Sequence, residues 1–89
     1  MRDISITIIN KLGLHARASA KFVSTAARFQ SQLEVTKDKQ TINGKSIMGV
    51  MMLAAKKGTV ISLHIDGPDE EEMEQALVNL IQQRFFEEE

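Results

Sequence analysis

Ile4, Ile6 and Ile8 alternate with Asp3, Ser5 and Thr7 near the start of the chain. A period of two gives an extended segment one apolar face and one polar face, which predicts a strand over residues 3–9. Asn10, Lys11 and Gly13 mark a loop. From Ala16, small and apolar residues recur at Ala20, Val23 and Ala27, with Phe22, Ala26 and Phe29 beside them. That spacing predicts a helix with one buried side. Leu33 and Val35 alternate with Gln32, Glu34 and Thr36, and Asp38 with Lys39 separates this strand from a second over residues 40–42. The pair reads as a hairpin. Asn43 and Gly44 break the pattern. A short helix is predicted from Ser46, with Ile47, Val50, Met51, Leu53 and Ala54 at helical spacing and Gly58 as its stop. Residues 59–66 form a strand with Ile61, Leu63 and Ile65 on one face. Gly67 and Pro68 turn the chain. Asp69 with Glu72 resembles a capping box at the start of a last helix, whose apolar stripe is Met73, Leu77, Leu80 and Ile81.

The predicted order is βαββαβα, an α+β fold. It implies a two-layer open-faced sandwich: a four-stranded antiparallel sheet with three helices on one face. The 89 residues suffice for one compact domain over 1–89 and are too few for two. Residues 86–89 are expected to be a frayed acidic tail. No internal repeat, linker or low-complexity segment interrupts the chain.

Composition narrows the chemistry. Cysteine is absent, which removes disulfides, thiol catalysis and zinc–thiolate sites and fits a reducing compartment. No apolar run approaches the roughly 20 residues of a membrane span. Asp3 interrupts what would otherwise be a leader-like start, so a soluble cytoplasmic protein is expected. Two histidines without H-x-x-x-H spacing do not suggest a metal site, and no cofactor is expected. The chain has four Phe but no Trp or Tyr, and no RNP-like motif, so stacking platforms for nucleic acid are poorly supported. The net charge of −1 conceals an asymmetry. Residues 1–57 carry ten Lys or Arg and three Asp or Glu, a sum of +7; residues 58–89 carry one Arg and nine acids, a sum of −8. A basic working surface with an acidic remainder is one reading; a merely solvated last helix and tail is the other.

The stretch LGLHARASAKF, residues 12–22, puts His15 where the strand pattern gives way to the helix pattern. Histidine is not the residue that stability would choose for a helix N-cap. The N-terminus of a helix offers unpaired N–H groups and partial positive charge, an anion site that also disfavours imidazolium. With Arg17 nearby, His15 is expected to favour its neutral form, whose lone pair is nucleophilic. These parts suit the acceptance of a phosphoryl group on nitrogen. The N–H groups, that of Ala16 included, and Arg17 would hold its oxygens. Gly13 would let the loop turn, and Ala16 and Ala18 keep bulk from the ring. The alternative is an uninformative surface histidine. Ser46 is a natural N-cap for the second helix. Ile47, Met48, Met51 and Met52 are too many apolar residues for one buried face, so at least one or two of them should be exposed. His64, on the polar side of the last strand, carries no predicted chemistry; nor do Ser24 and Thr25.

The runs GLHARASAKF and NGKSIMGVMMLAA resemble the active-site and regulatory-site segments of the HPr family, the histidine-containing phosphocarriers of the bacterial phosphotransferase system. The resemblance spans the chain and includes the βαββαβα order. It implies that His15 is phosphorylated through Nδ1 and that Arg17 stabilises the phosphate. It also implies that enzyme I donates the group and that IIA-type proteins, of a sugar or a nitrogen branch, accept it. Ser46 would be the target of an HPr kinase/phosphorylase. Ile47, Met48 and Met51 would form the apolar centre of a docking surface, with Lys21, Arg17 and Lys45 as charges around it. A monomer is expected. Many members carry proline at the position of Ala18, which would preorganise the first helical turn; alanine loosens that constraint. A regulatory binding module of the same fold, acting through Ser46 and the second helix, is the alternative reading. A small acylphosphatase-like hydrolase is a weaker one, because no water-positioning Asn is evident beside the histidine.

Overall fold

A computed structural model describes residues 1–87. The elements are β1 (Arg2–Thr7), α1 (Ala16–Ala26), β2 (Gln32–Lys37), β3 (Gln40–Asn43), α2 (Ile47–Met52), β4 (Val60–Asp66) and α3 (Glu70–Gln82). A single turn of 3₁₀ helix, Arg84–Phe86, follows α3. The four strands form one sheet in the order β1-β4-β2-β3, and every neighbouring pair is antiparallel. Both β1 and β2 pair with β4, so they run parallel to each other, and α1 makes the crossover between them. The βαββαβα order and the open-faced sandwich are as the hydropathy pattern predicts.

The register explains why one face is wet. Ile4 sits opposite Leu63, and Ile6 opposite Ile61, on β1 and β4. Leu33 faces Ile65 and Val35 faces Leu63 on β2 and β4. A period of two sends all of these to the helix side. There they meet Phe22 and Ala26 of α1, Val50 of α2, and Met73, Leu77 and Ile81 of α3. Full burial of each large apolar side chain is worth about 1.5–3 kcal/mol. Asp3, Ser5, Ser62, His64 and Glu34 occupy the other face, where His64 bonds to Asp3 and to Thr36.

Local details depart from the pattern. The buried side of α1 is Ala18, Ser19, Phe22 and Ala26, whereas Ala16, Ala20 and Ala27 are exposed. An alanine-rich helix has little contrast with which to mark its inner face. Helix α2 ends at Met52, not at Gly58: Ala54 takes a positive φ of 51° and turns the chain out. Asp69 is the N-cap of α3 but makes no capping bond there. Its carboxylate accepts instead from the Gln30 N–H, the Ser31 N–H and the Ser31 hydroxyl at 2.9, 2.9 and 2.6 Å. Three donors from the α1–β2 loop outcompete the one or two that a capping box would supply. The frayed-tail expectation is corrected for Phe86 and Glu87: Phe86 belongs to the 3₁₀ turn and Glu87 is hydrogen-bonded to the β1–α1 loop. Residues 88–89 of that tail lie outside the described residues. Among the described residues no helix is long and apolar enough to cross a membrane.

Candidate active site

The β1–α1 loop is held by its neighbours before any chemistry is considered. Gly13 has φ +65°, and a Cβ there would lie 2.4 Å from the Ala55 carbonyl oxygen. Only glycine allows that approach at that φ. The Leu14 N–H donates to the same oxygen at 2.8 Å, and the Leu14 carbonyl accepts from the Ser19 hydroxyl at 3.1 Å. Leu14 itself is buried. The loop after α2 and the first turn of α1 therefore fix His15 from both sides.

His15 is the N-cap of α1, with extended backbone. Its Nδ1 accepts from the Arg17 N–H at 3.3 Å. The first bond within the helix runs from the Ser19 N–H to the His15 carbonyl, so the amides of Ala16 and Ala18 precede it and have no acceptor within the helix. Position Ala18 thus needs no N–H for the helix. An accepting Nδ1 assigns the ring proton to Nε2. Nε2–H donates to Glu87 Oε2 at 2.6 Å. Glu87 Oε1 in turn accepts from Asn10 Nδ2 at 3.0 Å, and Asn10 Nδ2 also donates to the Gly13 carbonyl at 2.8 Å.

Lys11, Leu12, Ala16, Arg17, Lys21 and Phe86 complete an open cleft around His15 and Glu87. Three of these are cations, so the expectation of a basic surface holds at the cleft. The expectation of an entirely separate acidic half does not, because Glu87 returns to the basic centre. Burial pushes the Glu87 carboxyl up, but the bonds from Asn10 and His15, with the Lys21 charge nearby, outweigh it and leave the group below its ordinary value.

Arg17 is exposed at the cleft. Lys21 lines it too, but its Nζ donates to the Phe85 carbonyl at 2.6 Å, so it is a clasp as well as a surface charge. Lys45 lies farther along the chain with its Nζ on the Phe29 carbonyl at 2.7 Å. Ser46 caps α2, its hydroxyl accepting from the Gly49 N–H at 3.1 Å. Ile47, Met48, Met51 and Met52 are 45%, 71%, 40% and 64% exposed, so all four stand outside the core, in line with the expectation of at least one or two. A six-residue helix has one inward turn, and Val50 fills it.

Two residues of the centre are not evident from sequence. Asn10 reads as a loop marker, yet its side chain is fully buried, and its Oδ1 has no partner among the described residues. Glu87 sits 72 positions from His15 and is one of three consecutive glutamates, with no local signal to single it out. No group of His, Asp or Glu among the described residues is arranged to hold a metal ion.

Comparisons with known proteins agree with this geometry. Residues 3–83 match the family model described as the PTS HPr component phosphorylation site. The chain is 63% identical over 83 residues to phosphocarrier protein HPr of Neisseria meningitidis, covering 93% of each. It is 56% identical over 88 residues to phosphocarrier protein HPr of Pseudomonas aeruginosa, covering 98% of each. The crystal structure of HPr from Thermoanaerobacter tengcongensis superposes with a TM-score of 0.96 at 50% identity, over the full length of both chains. With fold, sequence and the histidine-centred cleft in accord, the chain belongs to the HPr family of phosphocarrier proteins of the phosphotransferase system.

Proposed function

We propose that His15 accepts a phosphoryl group on Nδ1 from enzyme I charged by phosphoenolpyruvate, and that it passes the group to IIA-type acceptors. The observation that carries this reading is the placement of Nδ1: it points at the N-terminal amides of α1, beside Arg17, in a cleft lined by cations. Phosphoryl transfer needs positioning and charge neutralisation more than covalent machinery. The Ala16 amide and the Arg17 guanidinium supply both. The protein is itself the intermediate, a carrier without turnover of its own, working as a monomer in the cytoplasm.

The test mixes the protein with enzyme I, Mg²⁺ and phosphoenolpyruvate and follows intact mass. One acid-labile phosphate on the wild type, absent from His15→Ala, is the expected result. Phosphate retained by His15→Ala sinks the assignment.

Ser46 has a second role in this reading, as the target of HPr kinase/phosphorylase. A phosphate there would sit at the start of α2, beside the exposed Ile47 and Met48. It would bring about −1.5 to −2 charges to a docking surface centred on Ile47, Met48 and Met51, with Lys21 and Lys45 at its margins. Incubation with ATP and the kinase should add one acid-stable phosphate to the wild type and none to Ser46→Ala. The exposed α2 face also favours the alternative reading, a regulatory binding module. That reading prevails if the folded protein takes no phosphate from enzyme I.

A further inference from the structure

The C-terminal turn does something that neither the relay nor the docking surface requires. Arg84, Phe85 and Phe86 have φ of 54°, 56° and 59°, three left-handed residues in succession without a glycine. L side chains rarely adopt that conformation, and a run of them persists only where surrounding contacts enforce it. Here Phe85 is fully buried in the core, and Lys21 Nζ holds its carbonyl at 2.6 Å. The product of the turn is the placement of Glu87. Its side chain is 13% exposed, against 28% for His15, and its two oxygens are taken by His15 Nε2 and Asn10 Nδ2.

We propose that Glu87 is a positioning residue for His15: its carboxylate, aimed by the C-terminal turn, fixes the proton on Nε2 and stabilises the cationic ring that forms when Nδ1 is phosphorylated. The inference rests on the phosphocarrier reading above. The step balances without any proton leaving the ring. The Nδ1 lone pair forms the N–P bond as the bond from phosphorus to the donor's leaving group breaks, and that electron pair departs with the donor. Nε2 keeps its hydrogen, so the ring becomes a cation facing a carboxylate. Delivery to the acceptor reverses this and returns the lone pair to Nδ1. A carboxylate on the remote nitrogen sets the tautomer and supports ring positive charge wherever a histidine acts through its other nitrogen. The lowered pKa of Glu87 agrees with a carboxylate that stays ionised in this place. The other charges around the ring are Lys11 of the loop and Arg17 and Lys21 of α1, all cations. Glu87 is the carboxylate among the described residues that line the cleft.

The experiment compares wild type, Glu87→Gln and Glu87→Asp. Gln keeps the size and an acceptor oxygen but removes the charge. Initial rates of phosphorylation by enzyme I are measured from pH 5.5 to 8.5, and ¹⁵N spectra of the unphosphorylated His15 ring are titrated over the same range. In Glu87→Gln the ¹⁵N spectra at the alkaline end of the range should show the Nδ1–H tautomer gaining population at the expense of Nε2–H. The plateau rate should fall about tenfold. Glu87→Asp should recover part of both. Rate and ring profiles of Glu87→Gln that superpose on the wild type overturn the inference while leaving the carrier reading intact. Phosphate persisting on His15→Ala overturns the carrier reading instead, and the ring titration still reports whether Glu87 acts on His15.

Discussion

Gly13 is where one residue decides whether the histidine can be presented at all. Its φ of +65° and the 2.4 Å approach of the Ala55 oxygen leave no room for a side chain. The neighbouring atoms are backbone, so they cannot swing aside as a side chain would. Gly13→Ala should therefore destabilise the fold by roughly 2–4 kcal/mol, combining left-handed strain with a steric displacement. Urea unfolding measures this directly. Because the Leu14–Ala55 bond lies next to the clash, the phosphorylation rate of the folded fraction should fall as well. A loss below about 0.5 kcal/mol, the range of ordinary surface substitutions, would show that the two loops are not in the close contact described.

Among the elements, the joint between the α1–β2 loop and α3 depends on a single carboxylate. The Ser31 hydroxyl, with the backbone N–H groups of Gln30 and Ser31, holds the Asp69 carboxyl below its ordinary pKa. A group depressed in the folded state adds stability above its unfolded value, about 3.9 for aspartate, and that stability is lost as pH falls through the lower folded value. Asp69→Asn should lower the thermal midpoint at neutral pH and flatten the acid limb of the stability curve below about pH 4. Glu70 and Glu87 are also depressed, so the diagnostic quantity is the difference between wild type and variant. A constant difference from pH 2 to pH 7 would contradict the assignment. The same joint shows what a sequence can reveal. Strands β1, β2 and β4 are legible because each has one wet face and a strict period of two. The His15 site is legible because a helix start and a histidine are adjacent in the chain. The role of Asp69 is not, since its partners lie 38 and 39 positions away and a cap was the nearer explanation. The inner face of α1 is blurred by alanines that tolerate either environment. The C-terminal turn is hidden because nothing in Arg84, Phe85 or Phe86 announces a left-handed backbone. Burial of Phe85 imposes it from outside the segment.

Over the whole molecule, the charge pattern decides how partners arrive. The sums of +7 for residues 1–57 and −8 for residues 58–89 describe the chain, but the fold mixes them. Arg2 pairs with Glu74, and the N-terminal ammonium reaches Glu70 at 2.9 Å. The acids at the start of α3 are thus partly neutralised by the N-terminal ammonium and Arg2. Lys11, Arg17 and Lys21 remain together at the cleft, offset in part by Glu87. An anionic donor surface should be steered to that cleft at low salt, and the attraction should fade as the Debye length shrinks from about 20 Å to about 4 Å. Between about 20 mM and 0.5 M salt, the second-order rate of phosphorylation by enzyme I should fall roughly tenfold, while the rate at saturation changes little. Lys11→Gln should flatten this salt dependence, because one cleft charge is removed. Glu87→Gln should steepen it, since the cleft then carries one more net positive charge. A salt response identical in all three proteins would mean that docking is governed by the exposed α2 face alone, with Ile47, Met48 and Met51 supplying the contact and the basic cleft serving only the phosphate.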